Sequence, residues 1–535
     1  MRFINKVKGE YRDLRTLISW VKNFGFKNAC FMRRIDQCRK TDMYGMWNPT
    51  AEMIERARKE YEESNINIVV VSALEDCNKA KVWNEAIQKS DAEYFLCKND
   101  DIQLSELALW AIQKRIVNSG KKTNQVYYCD HKVGDEFIYK PDFGIDTFLA
   151  QNYIKDMLCV SKEIWNELGG FDEKFSNAAI YDFVLRCYEK FGEESISHVE
   201  KAVFTLDECE KTTDVSQTQE QEIEVIESHL KRMDKKAKVH VISNGLYQVE
   251  YSLVAHAKIS IVIPNKDNID VLKQCIDSIL DKSTYDNYEI VIIENNSEDS
   301  ETFQYYQEIE QKYPDVIRVL KCVTDWNYSY INNFGVKQTT GEYIVLLNND
   351  TEVIAPDWME QLLQYAQQKE IGIVGAKLLY PDGTIQHGGV TLGIRGVAGH
   401  AFHGWSGASK GYMNRLVTVQ DLTAVTAACL MISKKVFDEV HGLDEHFKVA
   451  FNDTDLCMRV RKAGYRVVYN PKACLFHHES KSRGTDEQSP EKLKRFNGES
   501  MRFQKLYCRE LTLGDPYYNF NLEKTNDDFV AAKWE

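Results

Sequence analysis

Between residues 259 and 350 short apolar runs alternate with amphipathic stretches. ISIVIP (259–264) and YEIVIIEN (288–295) are continuous and rich in β-branched residues, the pattern of strands buried on both faces of a parallel sheet. Between them Val271, Leu272, Cys275, Ile276 and Ile279 recur on one helical face. Helical patterns near 301–313 and 328–338 and apolar runs at 316–322 and 343–350 continue the alternation. This order predicts an α/β fold with a Rossmann-like, mostly parallel sheet, and ligands of such sheets bind at the carboxyl ends of the strands. Pro264-Asn265, Glu294-Asn295-Asn296 and Asn348-Asn349-Asp350 all fall at those ends. Three polar clusters on one sheet edge make a candidate site.

The pattern also repeats. EYFLCKNDD (93–101) matches EYIVLLNND (342–350), and LGGFDEKFSNAAIYDFVLR (168–186) matches VHGLDEHFKVAFNDTDLCMR (440–459). INIVVVS (66–72) precedes the first pair as VIRVLKC (316–322) precedes the second. Three matches in one order predict two related domains in tandem. Between them EIEVIESHLKRM reads as a helix and VHVISNGLYQVEYSL as a hairpin turning at Asn244-Gly245; LKRFNGESMRFQKLY, beyond the second copy, reads as a helix.

Composition narrows the class. The 535 residues suffice for two to four domains, and 43% hydrophobic with 28% charged residues is ordinary for a globular protein. No apolar run reaches the ~18 residues of a membrane span, and the opening MRFINKVKGEYRDLR is too charged for a secretory leader. A cytoplasmic chain is therefore expected. The 14 cysteines are scattered without C-x-x-C spacing, which points to reduced core thiols rather than a zinc ribbon or disulfide scaffold. A net charge of −14 disfavours non-specific nucleic-acid binding. Residues 1–40 depart from that balance: eleven Lys/Arg against three acids make them +8 and leave −22 for the remainder. Ile4, Val7, Tyr11, Leu14, Ile18 and Val21 mark one helical face there. Such a helix either touches the anionic inner face of the cell membrane as a peripheral contact or packs on the next domain with its basic face in solvent.

The second copy carries a family resemblance. SIVIPNKDN resembles the opening strand of bacterial glycosyltransferases of family 2 with the GT-A fold, and IIENNSED resembles the strand end that holds their nucleotide base. LLNND resembles their metal-binding D-x-D segment and FNDTDLCMRVRKAGYRV their base-bearing segment. INNFGV, AKLLYPDGTIQHGG, AGHAFHG and HHESKSRG are similar to two-domain, rhamnosyltransferase-like enzymes of surface-polysaccharide assembly. The likeness spans roughly 66–510 and is dense over 257–485. It implies two GT-A domains in tandem, the first degenerate, with a basic helical segment at 1–50 and the first domain at 51–207. A linker follows at 208–257, then the catalytic domain at 258–510 and a tail at 511–535.

The same resemblance implies a dTDP- or UDP-linked sugar donor, Mn²⁺ or Mg²⁺ as cofactor, and a glycan or lipid-linked glycan as acceptor. Donor-binding positions are then Pro264, Asn265, Asp267, Glu294, Asn295, Asn332, Asn348 and Asn349. Metal ligands are Asp350 and His477, with His478 as the neighbouring alternative. Asn348 stands where the family places its first Asp, which lowers the charge of the metal site. Asp453 is the implied general base, at a helix start whose dipole favours the ionised form, and Asp455 supports it or caps the helix. A single base facing the donor implies displacement with inversion at the anomeric carbon.

Residues 383–411 hold nine of the 28 glycines, along with Gln386, His387, His400, His403 and Trp405. The second copy is 23 residues longer than the first between its EY strand and its DE motif, and this stretch supplies most of the excess. Long Gly-rich insertions are commonly functional loops, and these side chains suit stacking and hydroxyl recognition of an acceptor. In the first copy Asp101 aligns with Asp350, but Ile180 or Tyr181 falls opposite Asp453, and Thr205 or Leu206 falls near His477. Two other readings stay open here: a polymerase with both copies active, and a glycan-binding scaffold without turnover.

Overall fold

The computed structural model describes residues 18–33, 50–120, 123–206, 215–479, 489–526 and 528–532. Within them the chain forms two compact units. One runs to Ser252 and takes in Pro516–Leu522; the other comprises Leu253–Asp515 and Glu523–Phe529 with the described N-terminal residues. The helix and hairpin between the copies thus fold with the first unit, and the C-terminal tail is shared out between both. Most of the basic face at 1–40 lies outside the described residues; 18–24 and 26–33 are helical, with Ile18 exposed.

In the N-terminal unit β1 (Ile68–Ala73), β2 (Tyr94–Asn99), β3 (Gln103–Leu104), β4 (Val126–Val133), β5 (Glu136–Ile138), β6 (Met157–Ser161) and β7 (Ile196–Leu206) share one sheet. Its order is β1-β2-β6-β4-β7-β3, with β5 on β4. Helices α1 (Lys79–Lys89), α2 (Ala179–Phe191) and α3 (Val215–Arg232) belong to this unit, as does the hairpin of β8 (Ala237–Ser243) and β9 (Leu246–Tyr251). The turn of that hairpin is Asn244-Gly245, as the pattern predicts.

The C-terminal unit begins with β10 (Ile259–Asn265), α4 (Ile269–Lys282), β11 (Tyr288–Glu294), α5 (Ser300–Lys312), β12 (Ile317–Lys321), α6 (Tyr328–Lys337) and β13 (Tyr343–Leu347). It continues with β14 (Thr351–Val353), β15 (Ile371–Leu379), β16 (Ile385–His387), β17 (Val390–Leu392), β18 (Ala398–His400), β19 (Gln420–Leu422) and β20 (Cys429–Ser433). After these come α7 (Asn452–Lys462), β21 (Arg466–His477) and α8 (Pro490–Leu506). The main sheet runs β12-β11-β10-β13-β20-β15-β21-β14. All seven residues of β10 are buried, flanked by parallel partners on both edges, which is why that run carries no polar alternation. Ile261, Val262, Ile290 and Val291 are fully buried, and each such side chain contributes roughly 1.5–3 kcal/mol.

The two sheets have the same central topology. From β1 to β3 and from β10 through β13 to β14 the neighbours run in the same sequence of parallel and antiparallel pairings: β1·β2 as β10·β13, β2·β6 as β13·β20, β4·β6 as β15·β20, β4·β7 as β15·β21 and β3·β7 as β14·β21. This corrects one expectation. By chain order 66–72 matches 316–322, but in the sheet β1 takes the place of β10, beside the strand ending in Asn-Asp, whereas β12 lies at the far edge. Among the described residues the N-terminal unit therefore has no counterpart of β11 and β12.

Two asparagines tie each copy together in the same way. Asn78 caps α1 and donates Nδ2 to the Glu173 carbonyl (2.7 Å); Asn327 caps α6 and donates to the Glu445 carbonyl (2.9 Å). Six residues on, Asn84 brackets the backbone of Phe171 and Asn333 that of Leu443, each donating to the carbonyl and accepting from the amide. The DE motif is thus a docking point for the helix before the strand that ends in Asn-Asp. Its repetition extends the homology to DCNKAKVWNEAI (76–87) and DWNYSYINNFGV (325–336).

The N-terminal unit also contains a buried charge network. His198 lies between Asp130 Oδ1 (2.9 Å) and Asp142 Oδ1 (3.0 Å) under the stacked Tyr128 ring, and Asn519 of the tail donates to Asp130 Oδ2 (3.0 Å). Burial disfavours the imidazolium, but the two carboxylates outweigh it and push His198 up to about 9. A folded value raised above the unfolded one gives stability that is complete below about pH 6.5 and lost as pH rises through about 9. Thermal melts of the full chain are expected to show this unit destabilised across that window, by at most about 3 kcal/mol. His198→Gln should flatten the dependence.

Candidate active site

The site is built where β13 ends and β14 begins. Pairing of Thr351 with His477 across β14 and β21 sets Asp350 beside that histidine. His477 Nε2 lies 3.2 Å from Asp350 Oδ1 and 3.4 Å from Asn348 Nδ2. Both Asp350 and His477 are buried. Burial works to raise the Asp350 carboxyl, but the adjacent imidazole prevails and holds it below the usual range. His478 turns elsewhere, to Glu352 (3.3 Å) and Gln274 (3.4 Å). Of the two adjacent histidines, His477 is the one at Asp350.

Asp350 Oδ1 is buried without a hydrogen bond, and His477 is its close neighbour. An anionic oxygen and an imidazole nitrogen facing one another suit a divalent ion, with the Asn348 side chain adjoining. Among the described residues no three His, Cys, Asp or Glu side chains are grouped as a metal cage. Two protein ligands would leave most coordination positions to ligand oxygens, the arrangement of a metal that meets a phosphate.

The strand ends beside it form a joined edge. Asn265, fully buried, donates Nδ2 to Tyr306 Oη (2.8 Å) and accepts from Asn349 Nδ2 (2.6 Å). Pro264 precedes it in β10. Glu294 accepts from the Ser297 amide (3.0 Å) and braces the turn after β11. Two expected donor-binding side chains prove to be occupied with the loop itself. Asn295 donates to the carbonyls of Cys322 (2.8 Å) and Thr324 (2.9 Å), and Asp267 Oδ1 accepts from the Glu298 and Asp299 amides (2.8 and 3.0 Å). Through these bonds they shape the edge. Asn332 is fully buried, bonded through Nδ2 to the Tyr328 carbonyl, and its Oδ1 has no partner.

Asp453 stands in the first turn of α7. The preceding Phe451 holds a left-handed backbone (φ 62°), a conformation costly for a bulky residue, and its ring packs on Phe503 (5.3 Å) and Phe496 (5.6 Å). Asp453 Oδ1 accepts from the Thr454 amide (2.6 Å) and Oδ2 from the Ala427 amide (3.3 Å). The next residue, Ala428, accepts the Asn348 amide through its carbonyl (3.0 Å). The Asp453 carboxylate and the Asn348-Asp350 segment are therefore anchored on adjacent residues of one chain segment. Asp455 is buried and faces inward, to Arg459 Nε (2.8 Å) and Tyr507 Oη (2.6 Å). It fastens the helix and does not reach the edge.

The Gly-rich stretch folds back over this edge. Gly389 makes its turn at φ 111°, and a Cβ there would lie 2.5 Å from Leu422 Cδ1. Glu479 Oε2 accepts from Gln386 Nε2 (2.9 Å) and Tyr380 Oη (2.9 Å); Tyr380 in turn meets His403 Nε2 (2.9 Å). His387 and His400 are edge-to-face at 5.0 Å, and burial lowers the basicity of both. Trp405 packs edge-on against Phe402 (5.3 Å). Tyr380 and Glu479 escaped the sequence reading. Glu479 lies two residues after His477 in HHES, and only the parallel pairing of β15 with β21 shows that Tyr380 and Glu479 end neighbouring strands.

The N-terminal unit holds apolar residues at the places equivalent to Asp453, His477 and Asn332. The pairings Tyr94–Ser161 and Tyr343–Ser433 equate the two EY strands, hence Asp101 with Asp350. Gln103 then equates with Glu352, and their partners Thr205 and Phe476 put Leu206 at the place of His477. Asp182 pairs with Arg186 (2.6 Å) and Arg186 reaches the Leu168 carbonyl, as Arg459 joins Asp455 to the Val440 carbonyl. Counting two residues back puts Ile180 at the place of Asp453. Counting from the Asn caps puts Trp83 at the place of Asn332. Ile180 and Trp83 are buried and Asp101 is exposed.

Residues 260–440 match the profile Glycosyl transferase family 2. The match lies within the C-terminal unit and marks a family 2 glycosyl transferase domain there. It is similar to the uncharacterized protein y4gI of Sinorhizobium fredii, 34% identical over 492 residues that cover 89% of this chain and 54% of that protein. It is also similar to the O-antigen biosynthesis protein RfbC of Myxococcus xanthus, 31% identical over 538 residues, 96% of this chain and 41% of that one. The chain thus spans about half the length of these curated relatives. A third relative, N-acetylglucosaminyl-diphospho-decaprenol L-rhamnosyltransferase of Mycobacterium tuberculosis, is 25% identical over 221 residues, 37% of this chain and 69% of its own.

Proposed function

We propose that the C-terminal unit moves a sugar, with inversion, from a nucleoside-diphosphate donor to a glycan acceptor in bacterial surface-polysaccharide synthesis. The observation that carries this reading is the common anchoring of Asp453 on Ala427 and of the Asn348-Asp350 segment on Ala428. It brings a carboxylate able to take a proton next to a pair able to hold a metal. Asp350 and His477 are the proposed ligands of Mn²⁺ or Mg²⁺, which when bound supplies positive charge for the departing diphosphate. Asn265, Asn349, Glu294 and Asn332 form the donor edge. In the reaction the acceptor oxygen forms a bond to the anomeric carbon as the bond to the diphosphate breaks, and the hydroxyl proton passes to Asp453. No second carboxylate is required as a covalent nucleophile.

Similarity to an O-antigen biosynthesis protein and to a transferase named for a decaprenol-linked sugar supports a lipid-linked glycan as acceptor. Among the described residues no helix is long and apolar enough to cross a membrane. A lipid-linked acceptor would call for peripheral contact, which residues 1–40 could supply. The N-terminal unit is read as non-catalytic, because Ile180 and Leu206 can neither take a proton nor hold a metal. The test is a donor-hydrolysis screen of the full chain across UDP- and dTDP-sugars, with and without Mn²⁺. Metal-stimulated release of one nucleotide is expected; the absence of any release would overturn the proposal.

A further inference from the structure

The stretch over the Asp453 end presents hydrogen-bond acceptors. Tyr380 has one hydroxyl proton, and it goes to Glu479 Oε2, so the contact with His403 Nε2 must be donated by the imidazole. Glu479 Oε2 also takes the Gln386 amide, because a carboxylate offers no proton and the nitrogen side must face it. Oε2 is thereby filled and the side chain held, while among the described residues Oε1 takes no hydrogen bond. Gln386 is 3% exposed, and its Oε1 is buried with no partner. His400 Nδ1 meets the Gln386 carbonyl at 2.9 Å and so carries the proton, which leaves Nε2 of the neutral ring as an acceptor. His387 Nε2 accepts from the Thr426 amide (3.4 Å), next to the Ala427 amide that holds Asp453, and His387 meets His400 edge-to-face, which places this group beside the base.

We propose that Glu479, Gln386 and His400 seat the terminal ring of the acceptor and select a neutral, multiply hydroxylated sugar against an anionic one. This rests on the reading of Asp453 as the base. With one hydroxyl directed to Asp453, the neighbouring hydroxyls donate to Glu479 Oε1, Gln386 Oε1 and His400 Nε2, which supplies the donor that the buried amide oxygen lacks. A uronic acid or sugar phosphate would bring acceptors to acceptors and a negative charge to two carboxylates. Rejection then comes from unpaired polar groups and like charge together.

The test is saturation-transfer NMR on the full chain with methyl β-D-glucopyranoside, methyl β-D-galactopyranoside, methyl α-L-rhamnopyranoside and methyl β-D-glucuronide, each with UDP or dTDP and Mn²⁺ present. At least one neutral glycoside is expected to bind about tenfold or more tighter than the glucuronide. Glu479→Gln should shrink that ratio about tenfold by removing the charge. Gln386→Leu should weaken the neutral glycoside several-fold, on the scale of one lost hydrogen bond. Nucleotide affinity, measured by calorimetry on the same samples, should hold in both variants and so report an intact fold. A glucuronide bound as tightly as the neutral rings, an unchanged ratio in Glu479→Gln, or no glycoside binding beside intact nucleotide binding would each overturn the proposal. A wild-type chain that binds no nucleotide would instead sink the donor-site reading beneath it.

Discussion

Asp453→Asn is expected to lower sugar transfer by about 10²–10⁴-fold while nucleotide-diphosphate affinity stays within a small factor of wild type. The substitution is nearly isosteric. An Asn side-chain oxygen can still accept from the Ala427 amide or the Thr454 amide, so the start of α7 and its union with the turn before β20 are kept. What disappears is the ability to take a proton from the attacking hydroxyl. The donor edge is separate from this carboxylate: Asn265, Asn349 and Glu294 are bonded to one another or to their own loops. The loss should therefore appear in turnover and not in donor binding. Asp455→Asn gives the contrast. It loosens the contacts to Arg459 and Tyr507, so its first effect is on melting temperature. Full transfer by the Asp453 variant would move the base to another carboxylate, and Glu479 is the next one at this edge.

How far the sequence discloses this arrangement depends on whether the feature is local. The continuous runs of β10 and β11 can be read because burial on both faces erases polar alternation, and the strand-end clusters follow from the order of elements alone. The pairing of Asp350 with His477 joins residues far apart in the chain, and no periodicity contains it. Family resemblance suggested the pair, and the register of β14 on β21 explains it. Asn295 and Asp267 look like ligand contacts because they are polar and stand at strand ends. Whether their hydrogen bonds are already spent on Cys322, Thr324 and the 298–299 amides is a property of loop geometry, invisible in one dimension. The repeat is understated in the sequence for a similar reason. Asn78 and Asn327 sit among unrelated side chains, since only the cap and the carbonyl it holds are constrained. The one misplacement, β1 against β12, arises because chain order pairs the strands that precede the two EY runs, whereas in the sheet β1 lies beside β2.

Removing the proposed metal pair is expected to produce the other large loss. Asp350→Asn or His477→Ala should abolish the Mn²⁺-dependent part of nucleotide-diphosphate binding and reduce transfer by about a hundredfold or more. Calorimetry with UDP and dTDP, titrated with and without Mn²⁺, reads the first effect directly. The wild-type site is already low in charge, because Asn348 stands beside Asp350 where a second carboxylate would strengthen metal binding. Asp350 is the one carboxylate of the proposed pair, so neutralising it removes the pair's only negative charge. His478 cannot substitute for His477, being held by Glu352 and Gln274. Asp101→Asn is the internal control: it occupies the equivalent strand end, but it is exposed and Leu206 stands where the histidine would be. That variant should bind nucleotide and transfer sugar as the wild type does. A loss at Asp101 equal to that at Asp350 would mean that both copies turn over donor, and the N-terminal unit would then have to draw its proton acceptor from somewhere other than the position held by Ile180.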